Sequence, residues 1–111
     1  MIPFAEYRGW IDSTDDPKVV KVVKGQATAL LLRLDLYNHS PSGFAWGYGG
    51  SGPAQLALAL LADVLDDDER AIRLHQQFKW RAIAPLPMNE GWTISSDFVR
   101  GLAEQIEEEG A

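Results

Sequence analysis

Pro53-Ala54-Gln55-Leu56-Ala57-Leu58-Ala59-Leu60-Leu61-Ala62-Asp63-Val64-Leu65 is apolar around its whole circumference when wound as a helix, interrupted by Gln55 and Asp63. A helix of that kind is a buried one, so the rest of the chain has to enclose it. Pro53 suits the first helical position, with Ser51 or Gly52 as the cap. Thirteen residues are too few to cross a bilayer, and the start Met1-Ile2-Pro3-Phe4 lacks the basic and apolar regions of a leader. The expected setting is a soluble cytoplasmic protein with no membrane partner.

Upstream, three segments have strand character. Phe4 to Ile11 carries Phe4, Tyr7, Trp10 and Ile11, and Asp12 to Pro17 follows as a turn. Lys18 to Lys24 is rich in valine, and Gly25-Gln26 reads as a tight turn. Ala27 to Tyr37 alternates, with Leu30, Leu32, Leu34 and Leu36 on one face. Connections this short require antiparallel pairing. Lys18, Lys21 and Lys24 fit edge-strand protection.

Downstream, Asp66 to Glu69 has the Asp-x-x-Glu form of a helix start, and Ala71, Ile72, Leu74 and His75 follow. Phe78, Trp80, Ala82 and Ala84 alternate with Lys79, Arg81 and Ile83, the pattern of a fourth strand with Lys79 and Arg81 on one face. Thr93 to Ser96 opens a C-terminal helix marked by Phe98, Leu102 and Ile106. The expected fold is therefore α+β, one domain over residues 1–111. A sheet of about four antiparallel strands packs on the apolar helix in the order β-β-β-α-α-β-α. Specifically, the helix should lie on the Leu30/Leu32/Leu34/Leu36 face.

Composition narrows the chemistry. The 111 residues contain no cysteine, which removes disulfides, thiol nucleophiles and Cys-based zinc sites. Two histidines in dissimilar settings make a poor metal site, so no metal and no cofactor is expected. Net charge is −6. Residues 1–62 balance, and the whole excess lies in residues 63–111. Direct nucleic-acid binding needs the opposite field; a basic protein partner suits this one.

Three groups of residues are candidates for function. The loop Asn38, His39, then Trp46-Gly47-Tyr48-Gly49-Gly50-Ser51-Gly52 leads into a helix, where backbone N–H groups can cradle an anion. It lacks the Gly-Lys-Ser/Thr of a P-loop, and the preferred account is a tight turn that lets Trp46 and Tyr48 pack beside the buried helix. His39 with Ser40, Ser42 or Ser51 has the residue types of a hydrolase, but spacing supplies neither an oriented base nor an oxyanion site. The expectation is that the protein is not an enzyme, and His75 reads as a core histidine. The third group is acidic: Asp63, Asp66, Asp67, Asp68 and Glu69, with Glu104, Glu107, Glu108 and Glu109. Acids at a helix start complement its dipole, whereas those at a helix end oppose it. Local stability gives no reason for the second set.

Asn38-His39-Ser40-Pro41, Trp46 through Ala57 and Phe78-Lys79-Trp80 together resemble a prokaryotic domain-of-unknown-function family, number 6166. The likeness covers most of the chain and implies no activity, so no catalytic residue is transferred. It implies a setting in bacteria, archaea, phages and mobile elements, where short acidic phage proteins are often inhibitors of host defence, anti-CRISPR proteins among them. The expected function is a non-catalytic, monomeric protein-binding module that presents its acidic residues to a basic, nucleic-acid-handling partner. The alternative is a small-ligand or anion-binding domain built on loop 47–52.

Overall fold

The computed structural model describes residues 3–110; Met1 and Ile2, on which the reading of the N-terminus rests, and Ala111 lie outside the described residues. Four strands, β1 (Glu6–Ile11), β2 (Pro17–Val23), β3 (Gln26–Ala29) and β4 (Trp92–Ser95), form an antiparallel sheet in the order β3-β2-β1-β4. The Asp12 carboxylate organises the β1–β2 loop by accepting from the amides of Thr14 and Asp16. Lys24 and Gly25, both at positive φ (51° and 79°), make the two-residue turn into β3. Such turns match the twist of the strands they join. The turn thus falls one residue before Gly25-Gln26. Because β2 is an inner strand, its lysines are not edge guards.

Alternation sends Tyr7, Gly9, Val19, Trp92 and Ile94 to one face of the sheet, where all are buried. Gly9 has a specific reason to lack a side chain: a Cβ there would lie 2.4 Å from the Trp92 ring. Helix α1 (Ser51–Leu65) crosses this face and buries every residue from Gly52 to Ala62. Gly50, not Ser51 or Gly52, is its N-cap, and no side chain caps it. Asp66, in the left-handed conformation, closes its end by donating its N–H to Ala62 O. Helix α2 (Asp68–Phe78) begins at once, capped by Asp67, whose carboxylate accepts from Arg70 N. The cap is one residue later than the Asp66 start. Helix α3 (Ser96–Glu108) completes the cover, capped by Ser95.

Three expectations are corrected. First, Leu30 to Tyr37 is not strand. The ladder stops at Ala29, Arg33 takes a positive φ of 58°, and Leu36 N bonds back to Arg33 O. Leu30 is buried and Leu31 is exposed, while Leu32, Leu34 and Leu36 are only half-buried. Alternating leucines satisfied the period of a strand, but leucine is not β-branched, and after the bond from Leu30 N to Val19 O the chain turns away at Arg33. α1 therefore packs on the inner sheet face itself.

Second, Phe78 to Ala84 is not strand. α2 runs on into a π turn, Lys79–Ile83, closed by Ala84 N bonding to Lys79 O. Ala71, Leu74, His75, Phe78, Ala82 and Ile83 are buried at helical spacing. Lys79 is buried as well, so it shares no face with exposed Arg81. Pro85 lies just past the end of the turn. Third, the fourth strand is Trp92–Ser95, so Thr93 and Ile94 precede α3 instead of opening it. The order β-β-β-α-α-β-α holds with this later strand in its place.

Leu60 and Leu61 both have 0 % exposure. Replacing either by alanine should lower unfolding free energy by about 2–5 kcal/mol in denaturant titration. A loss below about 0.5 kcal/mol at both would contradict the enclosure of α1.

Candidate functional site

The glycine-rich loop is packed by its own aromatic rings. Trp46 is buried, donates Nε1–H to Glu90 O at 3.0 Å and meets Trp92 edge to face at 5.5 Å. A Cβ on Gly49 would sit 2.1 Å from the Trp80 ring, and one on Gly50 2.4 Å from the Tyr48 ring. Lys79 donates Nζ to Gly49 O at 3.1 Å and lies 4.5 Å from the Trp80 ring centroid. Rings and a lysine thus close directly on the loop backbone. Ser51 and Asn38 are exposed beside it.

Behind the loop, the one amide of the buried helix has a defined task. Gln55, with 0 % exposure, accepts from His39 N (2.8 Å) and Ser40 N (3.1 Å) through Oε1. Its Nε2 donates to Leu32 O (2.6 Å) and Tyr37 O (3.0 Å). The whole hydrogen-bonding capacity of the amide is used. These four bonds pin residues 32–40 to α1, which replaces the ladder a strand would have had.

They also bring His39 to His75, correcting the view of two unrelated histidines. The Nε2 atoms lie 2.9 Å apart, and His75 Nδ1 is 2.6 Å from Ile72 O. A carbonyl only accepts, so His75 carries its proton on Nδ1. His75 Nε2 is then the acceptor, and His39 Nε2–H the donor. Tyr37 stacks on His39 with ring centroids at 4.2 Å. Burial lowers the proton affinity of His39, and the charges of His75 and Lys79 lower it further. Burial also lowers that of His75, against the opposing pull of the Ile72 carbonyl, with Lys79 again lowering it.

With nitrogens at 2.9 Å and centroids at 5.1 Å, the rings meet nearly end to end. Their lone pairs do not converge on a third point as metal ligands would. Among the described residues no group of three or more His, Asp or Glu side chains is placed to hold a metal. Ser40 Oγ donates to Gly43 O at 2.7 Å, not to an imidazole. The pairing of His39 and His75 was not legible in sequence; the isolated Gln55 on an apolar helix was the available signal.

The acidic residues separate into distinct roles. Asp63 accepts from Tyr7 OH and pairs with Lys21 Nζ at 2.9 Å. Burial, then the bond to Asp63, raises the Tyr7 hydroxyl far above its ordinary range. Asp63 thus ties sheet to helix and stands apart from the Asp66–Glu69 group. Asp68 pairs with Arg33 at 3.0 Å. Glu107 takes both nitrogens of Arg70 (3.1 and 2.7 Å) and one of Arg73 (3.0 Å), while Arg81 holds Glu109. Those arginines keep the Glu107 and Glu109 carboxyls below the usual range. The expectation that nothing local favours the C-terminal glutamates is therefore corrected for these two.

Asp66, Glu69, Glu104 and Glu108 remain, exposed and in no ion pair among the described residues. Asp67 at the start of α2 and Glu104 and Glu107 of α3 all act on one arginine, Arg70. No helix among the described residues is long and apolar enough to cross a membrane.

Residues 7–105 match the model of a family of unknown function, DUF6166. The chain belongs to that family. Comparison with curated proteins and with solved structures returned no match. In this DUF6166 member the match spans the sheet, α1, the histidine pair and most of α3.

Two substitutions separate the roles of its acids. Asp63→Asn should cost about 1–3 kcal/mol through the lost charge-assisted bonds. Asp66→Asn, at a left-handed position that asparagine tolerates, should stay within about 0.5 kcal/mol. Equal effects in thermal unfolding would contradict the division. Gly49→Ala should lower stability by about 1–3 kcal/mol through displacement of Trp80, again read by thermal unfolding.

Proposed function

We propose that this protein is a non-catalytic protein-binding module whose acidic surface docks on a basic partner. The observation that supports this most is the set Asp66, Glu69, Glu104 and Glu108, exposed and in no ion pair among the described residues, on the two stretches that the Arg70–Glu107 pair joins. Helix capping and the arginine pairs account for Asp67, Asp68, Glu107 and Glu109; apart from the place of Glu69 in the first turn of α2, the four side chains have no partner among the described residues. Surplus like charge weakens a compact state unless something outside benefits.

A partner that normally holds nucleic acid presents cations at phosphate spacing, and exposed carboxylates occupy such sites with strong salt dependence. The narrower form of the proposal is an inhibitor of anti-CRISPR type, acting in the cytoplasm as a single copy. The acidic surplus lies in residues 63–111, which favours a basic protein over nucleic acid as the contact.

The test combines Asp66→Asn, Glu69→Gln, Glu104→Gln and Glu108→Gln in one chain. Captured partners are compared with those of the parent at low and high salt, with nucleic acid as competitor. The expected result is an unchanged melting temperature and a partner that nucleic acid displaces from the parent. The variant should bind it about 1–4 kcal/mol more weakly at low salt, roughly fivefold to a thousandfold. Equal binding by parent and variant across the salt titration would overturn the proposal.

A further inference from the structure

The segment between Leu30 and Trp46 is attached to the body at both ends and clasped in the middle. Leu30 N bonds to Val19 O at 3.3 Å where β3 ends, and Trp46 is locked by its bond to Glu90 O. Between them lie no helix and no strand. Three clasps hold the middle: the Gln55 amide, which does not titrate, the Arg33–Asp68 ion pair at 3.0 Å, and the His39–His75 bond, whose acceptor nitrogen can take up a proton. Leu36 and Phe44 of this segment pack on the apolar core, so its position decides whether that side of the core meets water.

We propose that the His39–His75 hydrogen bond is an acid-sensitive latch, closed while His75 is neutral and opened when His75 is protonated. A proton taken by His39 at Nδ1 leaves its Nε2–H donating and the bond intact; the proton that opens the latch is the one on His75 Nε2. The bond uses one lone pair, on His75 Nε2, and one proton, on His39 Nε2, across 2.9 Å. Protonating His75 puts a hydrogen on each of the facing nitrogens, and neither can then accept. Both protonated rings would also carry positive charge at that separation.

Of the groups facing the pair, the Ile72 carbonyl alone favours a protonated ring. Those groups are the Tyr37 ring from the same segment, the Gln76 amide and Ile72 carbonyl from α2, and the Lys79 ammonium from the π turn. The charged member is a cation, and no carboxylate acts on either ring among the described residues. His75 is buried on α2, so His39, half-exposed on the segment, is the ring that leaves.

The sign follows from linkage. Both imidazoles bind protons less readily in the closed form than the ordinary value of 6.5. The open form therefore takes up protons first as pH falls, and latch stability is full above that value and declines below it. Opening would uncover His75, Gln55 and the apolar contacts of Leu36 and Phe44.

Amide hydrogen exchange of the intact chain tests this at the His39 and Ser40 amides, both bonded to Gln55. Rates are corrected for intrinsic pH dependence and compared at about pH 7.5 and about pH 5, on either side of the ordinary histidine range. Protection at these two amides should fall several-fold in acid, while β1 and β2 amides keep theirs. His75→Gln supplies an acceptor that does not titrate and should abolish the acid-dependent loss. Unchanged protection in the parent, or the same loss in His75→Gln, would overturn the latch. Imidazole NMR titration of the parent gives a reading that needs no variant. His75 should titrate below the ordinary histidine value together with the segment's amides, and His75 titrating at or above that value would overturn the proposal.

Discussion

An apolar helix must be enclosed on every side, and the fold follows from how this chain encloses α1. The sheet takes one side through Tyr7, Val19, Trp92 and Ile94, and α2 and α3 supply Leu74, Phe78, Val99 and Ile106. The remaining flank is covered by irregular chain, whose backbone groups cannot be satisfied by a ladder. Burying them unpaired would cost about 1–3 kcal/mol each. Gln55 meets that requirement from inside the helix, with two acceptor bonds and two donor bonds on one amide. The placement of His39 beside His75, and of Tyr37 on His39, depends on that single side chain.

Charge is organised around the same body. Asp63, the other polar interruption of α1, reaches the sheet through Tyr7 and Lys21. The arginines of α2 and the π turn gather the end of α3 through Glu107 and Glu109. Pairs this exposed contribute at most about 1 kcal/mol each, so they orient α3 more than they stabilise it. What they leave over, at Asp66, Glu69, Glu104 and Glu108, is exposed charge with no ion pair among the described residues.

Much of this was legible from residue pattern. α1 was readable because nearly all its residues are apolar, and the β1–β2 and β2–β3 connections because they are too short for anything but antiparallel pairing. α3 was readable from its fourfold spacing and from Ser95-Ser96 before it. The misreadings share a cause. Leu30 to Leu36 and Phe78 to Ala84 both alternate, and a short alternating run does not distinguish a strand from irregular chain or from the end of a helix. For the second, continuing the buried series Ala71, Leu74, His75, Phe78 would have shown the helix running on. The short strand Trp92–Ser95 is too brief to declare a period. The histidine pair joins residues 36 positions apart, a closeness that only the path of the intervening chain creates.

The central claim is that the amide of Gln55, and not apolar burial alone, holds the irregular flank on α1. Gln55→Leu keeps the volume and apolar character of the helix while removing all four bonds, so denaturant unfolding of this variant decides the matter most directly. The account predicts a loss of at least about 2 kcal/mol, since buried backbone groups are left without partners. A variant as stable as the parent, or more so, would show that packing alone seats the segment and would contradict the account.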